Sequence, residues 1–296
     1  MGAEHVPASP SLIASTIKLR KAGTQLPRLG FGVYQSKSPL GSTANALAVG
    51  YRHIDTARVY TNEEDVLKAV HKFSQGDTSK IPNEGTGKVW LTSKVVGKEH
   101  GEGVTSKAVQ ESVDLAAKYG LKWDLFLLHD PTAGKEKRLE AWKALIEKRD
   151  EGKLGAIGVS NFSEKHLQEI KDAGLELPDV NQIELHPFLQ QKPIVEYCKK
   201  EGIVVEAYCP ILRGQRFDHE VLVKLSEKYS VDPARILLRW SLQRGFVPLV
   251  KSDTLHRIET NRDLEGFELS EEEMGMLDGL DEGEKGAVSW NPVGHE

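Results

Sequence analysis

Cysteine is almost missing from this chain: Cys198 and Cys209 are too few for a disulfide framework, and neither forms a CxxC or joins histidines at zinc-ligand spacing. A reduced, cytoplasmic protein without a structural metal is the expectation. No run approaches the roughly 18 apolar residues of a membrane helix. Met1 to Ser15 lacks a basic start followed by an apolar core, so neither export nor anchoring is expected. Basic excess is missing too. A net charge of -5 and a pI near 6.1 argue against nucleic acid or an acidic membrane as the main ligand, while a local patch can still hold a small anion. The Rossmann fingerprint is absent, because Gly30-Phe31-Gly32 has two glycines and Gln35 or Ser36 stands near the third position. No Walker sequence, HxH or HExxH occurs, and the ten histidines are dispersed. Asn161-Phe162-Ser163 matches a glycosylation sequon, but without a secretory signal it is read as a chance match.

What is present is a large apolar fraction, 39% of 296 residues, enough to bury one α/β barrel or two smaller domains. Four apolar runs end in catalytically useful groups. They are Arg52-His53-Ile54-Asp55 with Tyr60 behind it, Trp90 to Lys94, Leu125 to His129, and Val247 to Ser252. A parallel barrel carries its chemistry at the ends of its strands, so the pattern points to an enzyme. Any one such residue alone is ordinary surface polarity; an Asp, a Tyr, a Lys and a His together make an acid–base set.

After a loose lead-in over residues 1–15, Thr16 to Leu19 and the stretch near Leu26 predict a hairpin with Ala22-Gly23 in its turn. Strands are then expected over 29–34, 52–55, 89–94, 123–128, 156–160, 180–184, 203–208 and 246–250. Helices are expected over 43–49, 63–73, 106–119, 139–149, 164–173, 194–200, 220–229 and 233–243, with Gly85 to Gly87 as punctuation. Eight strands each followed by helix favour one closed (β/α)8 barrel, a single domain over residues 16–296, rather than a doubly wound sheet. Ser270 with Glu273 forms a capping box that starts a further helix ending near Leu280, and residues 283–296 form a tail anchored by Trp290.

If Tyr60 gives a proton to a carbonyl oxygen as a hydride arrives at carbon, lowering its pKa from about 10 towards 7 requires roughly 4 kcal/mol. One ammonium about 4 Å away at an effective dielectric of about 20 supplies that much, and Lys94 is the candidate. A buried lysine tends to discharge, so Asp55 is needed as its anion, although Asp55 partly offsets the help to Tyr60. His129 offers a donor to orient the carbonyl and stabilise the developing oxyanion.

Tyr51 to Ala57 with Tyr60, then Ser93-Lys94, Leu128-His129, Ser160-Asn161, Asn181-Gln182 and Lys251-Ser252 through Arg257 and Asn261, resembles the aldo-keto reductase family from about Thr16 to Leu280. The resemblance implies a (β/α)8 barrel closed below by a hairpin, and a tetrad of Asp55, Tyr60, Lys94 and His129. It further implies that Ser160, Asn161 and Gln182 hold a nicotinamide carboxamide and that Tyr208 stacks on the ring. Lys251, Ser252, Thr254 and Arg257 lie where the last strand meets the next helix, a place suited to a phosphate. In the resembling family this segment binds the 2′-phosphate, so NADPH is expected rather than NADH. Asn261 matches the family, whereas Thr260 stands where Glu is usual, which puts the adenine contacts in doubt.

Tyr34 and Asp130 stand where many members carry Trp, or Trp and Ser, and Val96 is small, so a more open and polar substrate pocket is expected. Trp290 is read either as a cover over the pocket or as an anchor on the barrel wall. Arg213 and Arg216 are read either as partners for a pyrophosphate or substrate carboxylate or as surface charges. The resulting expectation is a monomeric NADPH-dependent reductase of aldehydes and ketones. Oxidation of a polyol with NADP+ uses the same tetrad, and a cofactor-sensing partner protein is the reading from another class.

Overall fold

The computed structural model describes residues 14–20, 24–76 and 87–296. Strands β1 (Thr16–Lys18) and β2 (Gln25–Pro27) pair antiparallel with Ile17 opposite Leu26, the predicted hairpin. Its turn at Ala22-Gly23 lies outside the described residues, as do residues 1–13 and most of the punctuation at Gly85 to Gly87.

Eight parallel strands close a barrel: β3 (Gly30–Gly32), β4 (His53–Asp55), β5 (Trp90–Val95), β6 (Leu125–Leu128), β7 (Ala156–Ser160), β8 (Val180–Glu184), β9 (Val204–Tyr208) and β10 (Val247–Val250), with β10 pairing back onto β3. Around them run α1 (Pro39–Ala48), α2 (Glu63–Gln75), α3 (Val104–Ala117), α4 (Lys135–Asp150), α5 (Glu164–Asp172), α6 (Lys192–Glu201), α7 (Glu220–Tyr229), α8 (Pro233–Gln243), α9 (Leu255–Arg262) and α10 (Glu271–Asp278). The (β/α)8 expectation holds. Boundaries differ where an apolar rhythm is a poor guide to a helix start: α1 begins at Pro39 rather than Thr43, because proline suits the first turn, where no N–H bond is lost. Ser270 Oγ accepts Glu273 N and Glu273 Oε2 accepts Ser270 N, closing the predicted capping box of α10.

Side chains alternate between two faces along every strand. One set packs between strands and helices in the main apolar core, with Phe31, Ile54, Leu91, Phe126, Leu128 and Ile157 among its members. The other set points into the lumen. At its bottom Leu125, Ala156, Val180, Val204 and Val247 meet Leu19 and Leu26 of the hairpin and form a separate apolar plug. Gly30 has no room for a side chain there, since a Cβ would lie 2.3 Å from Leu249 Cδ2 and 2.9 Å from His53 Nδ1. Going up the same faces, the lumen turns polar and leads to the rim.

Candidate active site

Asp55 ends β4, Lys94 lies on β5, and His129 follows β6, so adjacent parallel strands deliver three of the four acid–base residues to one rim. Tyr60 arrives by a short 3-10 turn, Arg58–Tyr60, after which Thr61 takes a left-handed φ of 57°. Neighbouring contacts fix that turn. Asn62 Nδ2 donates to Val33 O at 3.1 Å and its Oδ1 accepts Thr56 Oγ1 at 2.6 Å, while Arg58 pairs with Glu99 at 3.0 Å and Glu111 at 2.9 Å.

Lys94 is fully buried and donates to Asp55 Oδ1 at 2.6 Å and to Thr56 O at 2.8 Å. Two of its three N–H bonds are thereby taken. Its Nζ stands 5.4 Å from the centroid of the Tyr60 ring. Tyr60 Oη lies 3.3 Å from His129 Nε2, the rings meeting edge-on. Tyr34, 46% exposed, packs its ring 4.8 Å from that of Tyr60 and borders the mouth from the β3 side.

The electrostatics correct one sequence expectation. Tyr60 is not poised near neutrality: burial, then the charge of Asp55, pushes its hydroxyl well above the ordinary value of 10. The ammonium is turned towards Asp55, so the carboxylate offsets its field at the phenol. Tyr60 is therefore a fully protonated acid in the free protein. Burial, with Lys94 second, holds His129 well below its ordinary 6.5. The imidazole is thus neutral, and its buried Nδ1 has no partner.

Ser160 ends β7, Asn161 follows it, and Gln182 stands beside Ser160 in the middle of β8. Ser160 Oγ donates to Gln182 O at 2.8 Å, and Asn161 Nδ2 donates to His129 O at 3.0 Å. Asn161 is buried with a left-handed φ of 62°, which removes the sequon from reach of a modifying enzyme. Tyr208 Oη is within hydrogen-bond range of both Asn161 Oδ1 at 2.8 Å and Trp290 O at 2.9 Å. One hydroxyl hydrogen serves only one of them at a time.

At the end of β10, Thr254 is the N-cap of α9 and Ser252 Oγ accepts Thr254 N at 3.1 Å. Lys251 is paired with Asp253 at 2.7 Å, a neighbour the sequence reading left out. Arg257 is exposed and has no carboxylate partner among the described residues. Asn261 is buried on α9.

Two expectations change. Asp130 does not face the pocket: it is buried, with Oδ2 accepting Gly97 N at 2.9 Å and Oδ1 accepting Thr132 N at 3.0 Å, so it shapes the loop after β6. Trp290, 59% exposed, is not buried against the barrel wall; its carbonyl meets Tyr208. Arg213 donates to Ser289 Oγ at 3.1 Å and Arg216 pairs with Glu282 at 2.7 Å, so both arginines hold the tail.

The sequence reading missed two buried carboxyls, Glu184 and Glu206. Glu184 accepts the backbone N–H groups of Val288 at 2.6 Å and Ser289 at 3.1 Å, with His186 Nε2 at 3.1 Å, and so ties the tail to β8. For Glu206 the available signal was an acid at an inward position of an otherwise largely apolar strand; Glu184 ends a strand that already carries Asn181 and Gln182.

The sequence profile of the Aldo/keto reductase family matches residues 34–282. An uncharacterized oxidoreductase of Schizosaccharomyces pombe is 40% identical over 95% of this chain and 98% of its own length. Glyoxal reductase of Bacillus subtilis is 40% identical over 96% of this chain and 98% of its own. Among solved structures, a Bombyx mori aldo-keto reductase in complex with NADP is similar with a TM-score of 0.82 and 30% identity, covering 94% of this chain and 96% of that one.

Proposed function

The chain belongs to the aldo/keto reductase family, and from that premise we propose that it reduces aldehydes and ketones to alcohols with NADPH, Tyr60 acting as proton donor. The observation that carries this reading is the meeting of a protonated phenol and a neutral imidazole 3.3 Å apart above a buried Asp55–Lys94 pair. A carbonyl oxygen seated between Tyr60 Oη and His129 Nε2 receives a hydrogen bond from each when the histidine carries its proton on Nε2. Negative charge that develops on this oxygen is stabilised by both donors and by the buried ammonium of Lys94 behind Tyr60, and the phenol proton completes the alcohol.

NADPH, when bound, supplies the hydride. The residues present fit it. No described group donates to Gln182 Oε1, which leaves an acceptor for a carboxamide N–H. Ser160 and Asn161 stand beside it, and the face of Tyr208 is the stacking surface in this reading. Arg257, without a carboxylate partner among the described residues, and the hydroxyls at the start of α9 suit a 2′-phosphate. Lys251 would contribute after exchanging its bond to Asp253. The likeness to a glyoxal reductase supports small aldehydes as the substrate class. A single barrel domain over residues 16–296, monomeric and cytoplasmic, completes the proposal.

The test is NADPH consumption with an activated aromatic aldehyde, with Tyr60→Phe beside the native protein. Turnover lost in the variant supports the reading. Tight NADPH binding without turnover of any aldehyde would instead favour the cofactor-sensing reading.

A further inference from the structure

One more carboxyl lies inside the barrel just below the Asp55–Lys94 pair, and no step above uses it. Glu206 sits two residues before Tyr208 on β9, so both point into the lumen, and Glu206 is fully buried. Its Oε2 accepts Gln182 Nε2 at 2.7 Å, and the same nitrogen donates to Asp55 Oδ2 at 3.0 Å. An amide nitrogen carries two hydrogens, so both are engaged below the rim. The amide oxygen is then the one polar atom of Gln182 left to meet a ligand.

The other oxygen of Glu206 has no hydrogen-bond partner and lies 3.7 Å from His53 Nε2, which is itself 3.2 Å from Thr92 Oγ1. His53, Asp55 and Lys94 are the titratable groups that face Glu206. Burial, then the charge of Asp55, pushes Glu206 up to about 8, and burial brings His53 down to about 4. Near neutral pH the floor of the site therefore carries an uncharged acid and an uncharged imidazole. Asp55 keeps Lys94 without a competing anion, while Gln182 keeps its second acceptor.

We propose that Glu206 is a positioning residue: with Asp55 it holds the Gln182 amide nitrogen inside the barrel and fixes the amide oxygen towards the nicotinamide carboxamide. The inference rests on the assignment of Gln182 to that carboxamide. With one acceptor removed, Asp55 alone holds the amide nitrogen inside the barrel, and the turned-over amide, which presents N–H bonds to the carboxamide N–H group, a donor facing a donor, is opposed by one acceptor instead of two. The second acceptor therefore selects which end of a symmetric-looking amide the ligand meets.

Two substitutions separate hydrogen bonding from packing. Glu206→Met keeps length and volume but removes the acceptor, and Glu206→Gln keeps an acceptor oxygen. In 15N–1H spectra of the protein without cofactor, the Gln182 side-chain NH2 pair is identified by its loss in Gln182→Glu. Its hydrogens should exchange slowly with solvent in the wild type and in E206Q, and at least about ten-fold faster in E206M. NADPH titration followed by tryptophan fluorescence should find E206Q within about two-fold of wild type and E206M about ten-fold weaker. Unchanged exchange in E206M overturns the proposal, as does wild-type affinity in that variant or rapid exchange in E206Q. If the exchange pattern holds while even the wild type fails to bind NADPH, the hold on Gln182 is supported and the cofactor reading is overturned.

Discussion

The two halves of the barrel lumen follow one alternation and serve opposite ends. Below, inward positions are filled by Leu125, Ala156, Val180, Val204 and Val247, capped by Leu19 and Leu26 of the hairpin. Two to four residues further along the same strands the inward positions are Gln182, Glu184, Glu206 and Tyr208. The lower half removes apolar surface from water at roughly 25 cal/mol per Å² and stabilises the closed barrel. The upper half buries charge and hydroxyl, which opposes folding unless each group finds a partner. Asp55 and Lys94 find each other, Gln182 links Asp55 to Glu206, and Glu184 takes tail amides. Stability and chemistry are thus separated along the barrel axis by about two residues of strand.

If that separation holds, substitutions in the two halves should move different observables. The largest effect belongs to the upper half: Tyr60→Phe should lower aldehyde reduction by about 100-fold or more, with NADPH affinity within about two-fold, as checked by steady-state rates and fluorescence titration. Its mirror below is Leu125→Ala, expected to lower unfolding free energy by about 2–5 kcal/mol in urea while the folded fraction keeps its turnover. A comparable loss of turnover per folded molecule would erase the distinction.

The pH dependence of stability sharpens the contrast, because only the polar half titrates. Glu206 stays protonated in the folded state up to about 8, whereas in the unfolded chain a glutamate ionises near its ordinary 4.5. Between those values the folded protein binds the extra proton, so this group's contribution falls as pH rises, by at most about 1.4 kcal/mol per pH unit. His53 acts oppositely: with its folded value near 4 against an ordinary 6.5, its contribution is lost as pH falls through that window. Denaturation of wild type and Glu206→Gln from pH 5 to 8 should show the wild type losing ground steadily to the variant; parallel curves would mean that Glu206 is ionised throughout.

Arg257→Ala lies outside both halves and should weaken NADPH about ten-fold with little change for NADH, by fluorescence titration of each. Equal losses would place the phosphate elsewhere. The smallest effect is expected for Trp290→Ala, whose ring is 59% exposed: a change in unfolding free energy below about 0.5 kcal/mol. A larger drop would mean that the ring is packed in solution.

Much of this was legible in the chain itself. Most of the eight strands were visible as short, largely apolar runs followed by a helical rhythm, and β7, β8, α7 and α8 begin and end where that rhythm does. Asp55, Tyr60, Lys94 and His129 were visible as polar groups ending such runs. Glu206 was not, because it lies inside its strand, and what makes it uncharged and useful is the approach of Gln182 and Asp55 from strands far away in sequence. Asp130 was misjudged for the same reason: the Gly97 and Thr132 N–H groups that engage it depend on how two loops meet. The pairing of Lys251 with Asp253 was hidden in plain view, two residues apart, since spacing alone does not say whether side chains turn towards each other.

Glu184 grips the peptide N–H groups of Val288 and Ser289, not their side chains. Every amino acid except proline supplies such a group. The hold of β8 on the segment beside Tyr208 therefore survives most substitutions at positions 288 and 289, and proline is the replacement that breaks it.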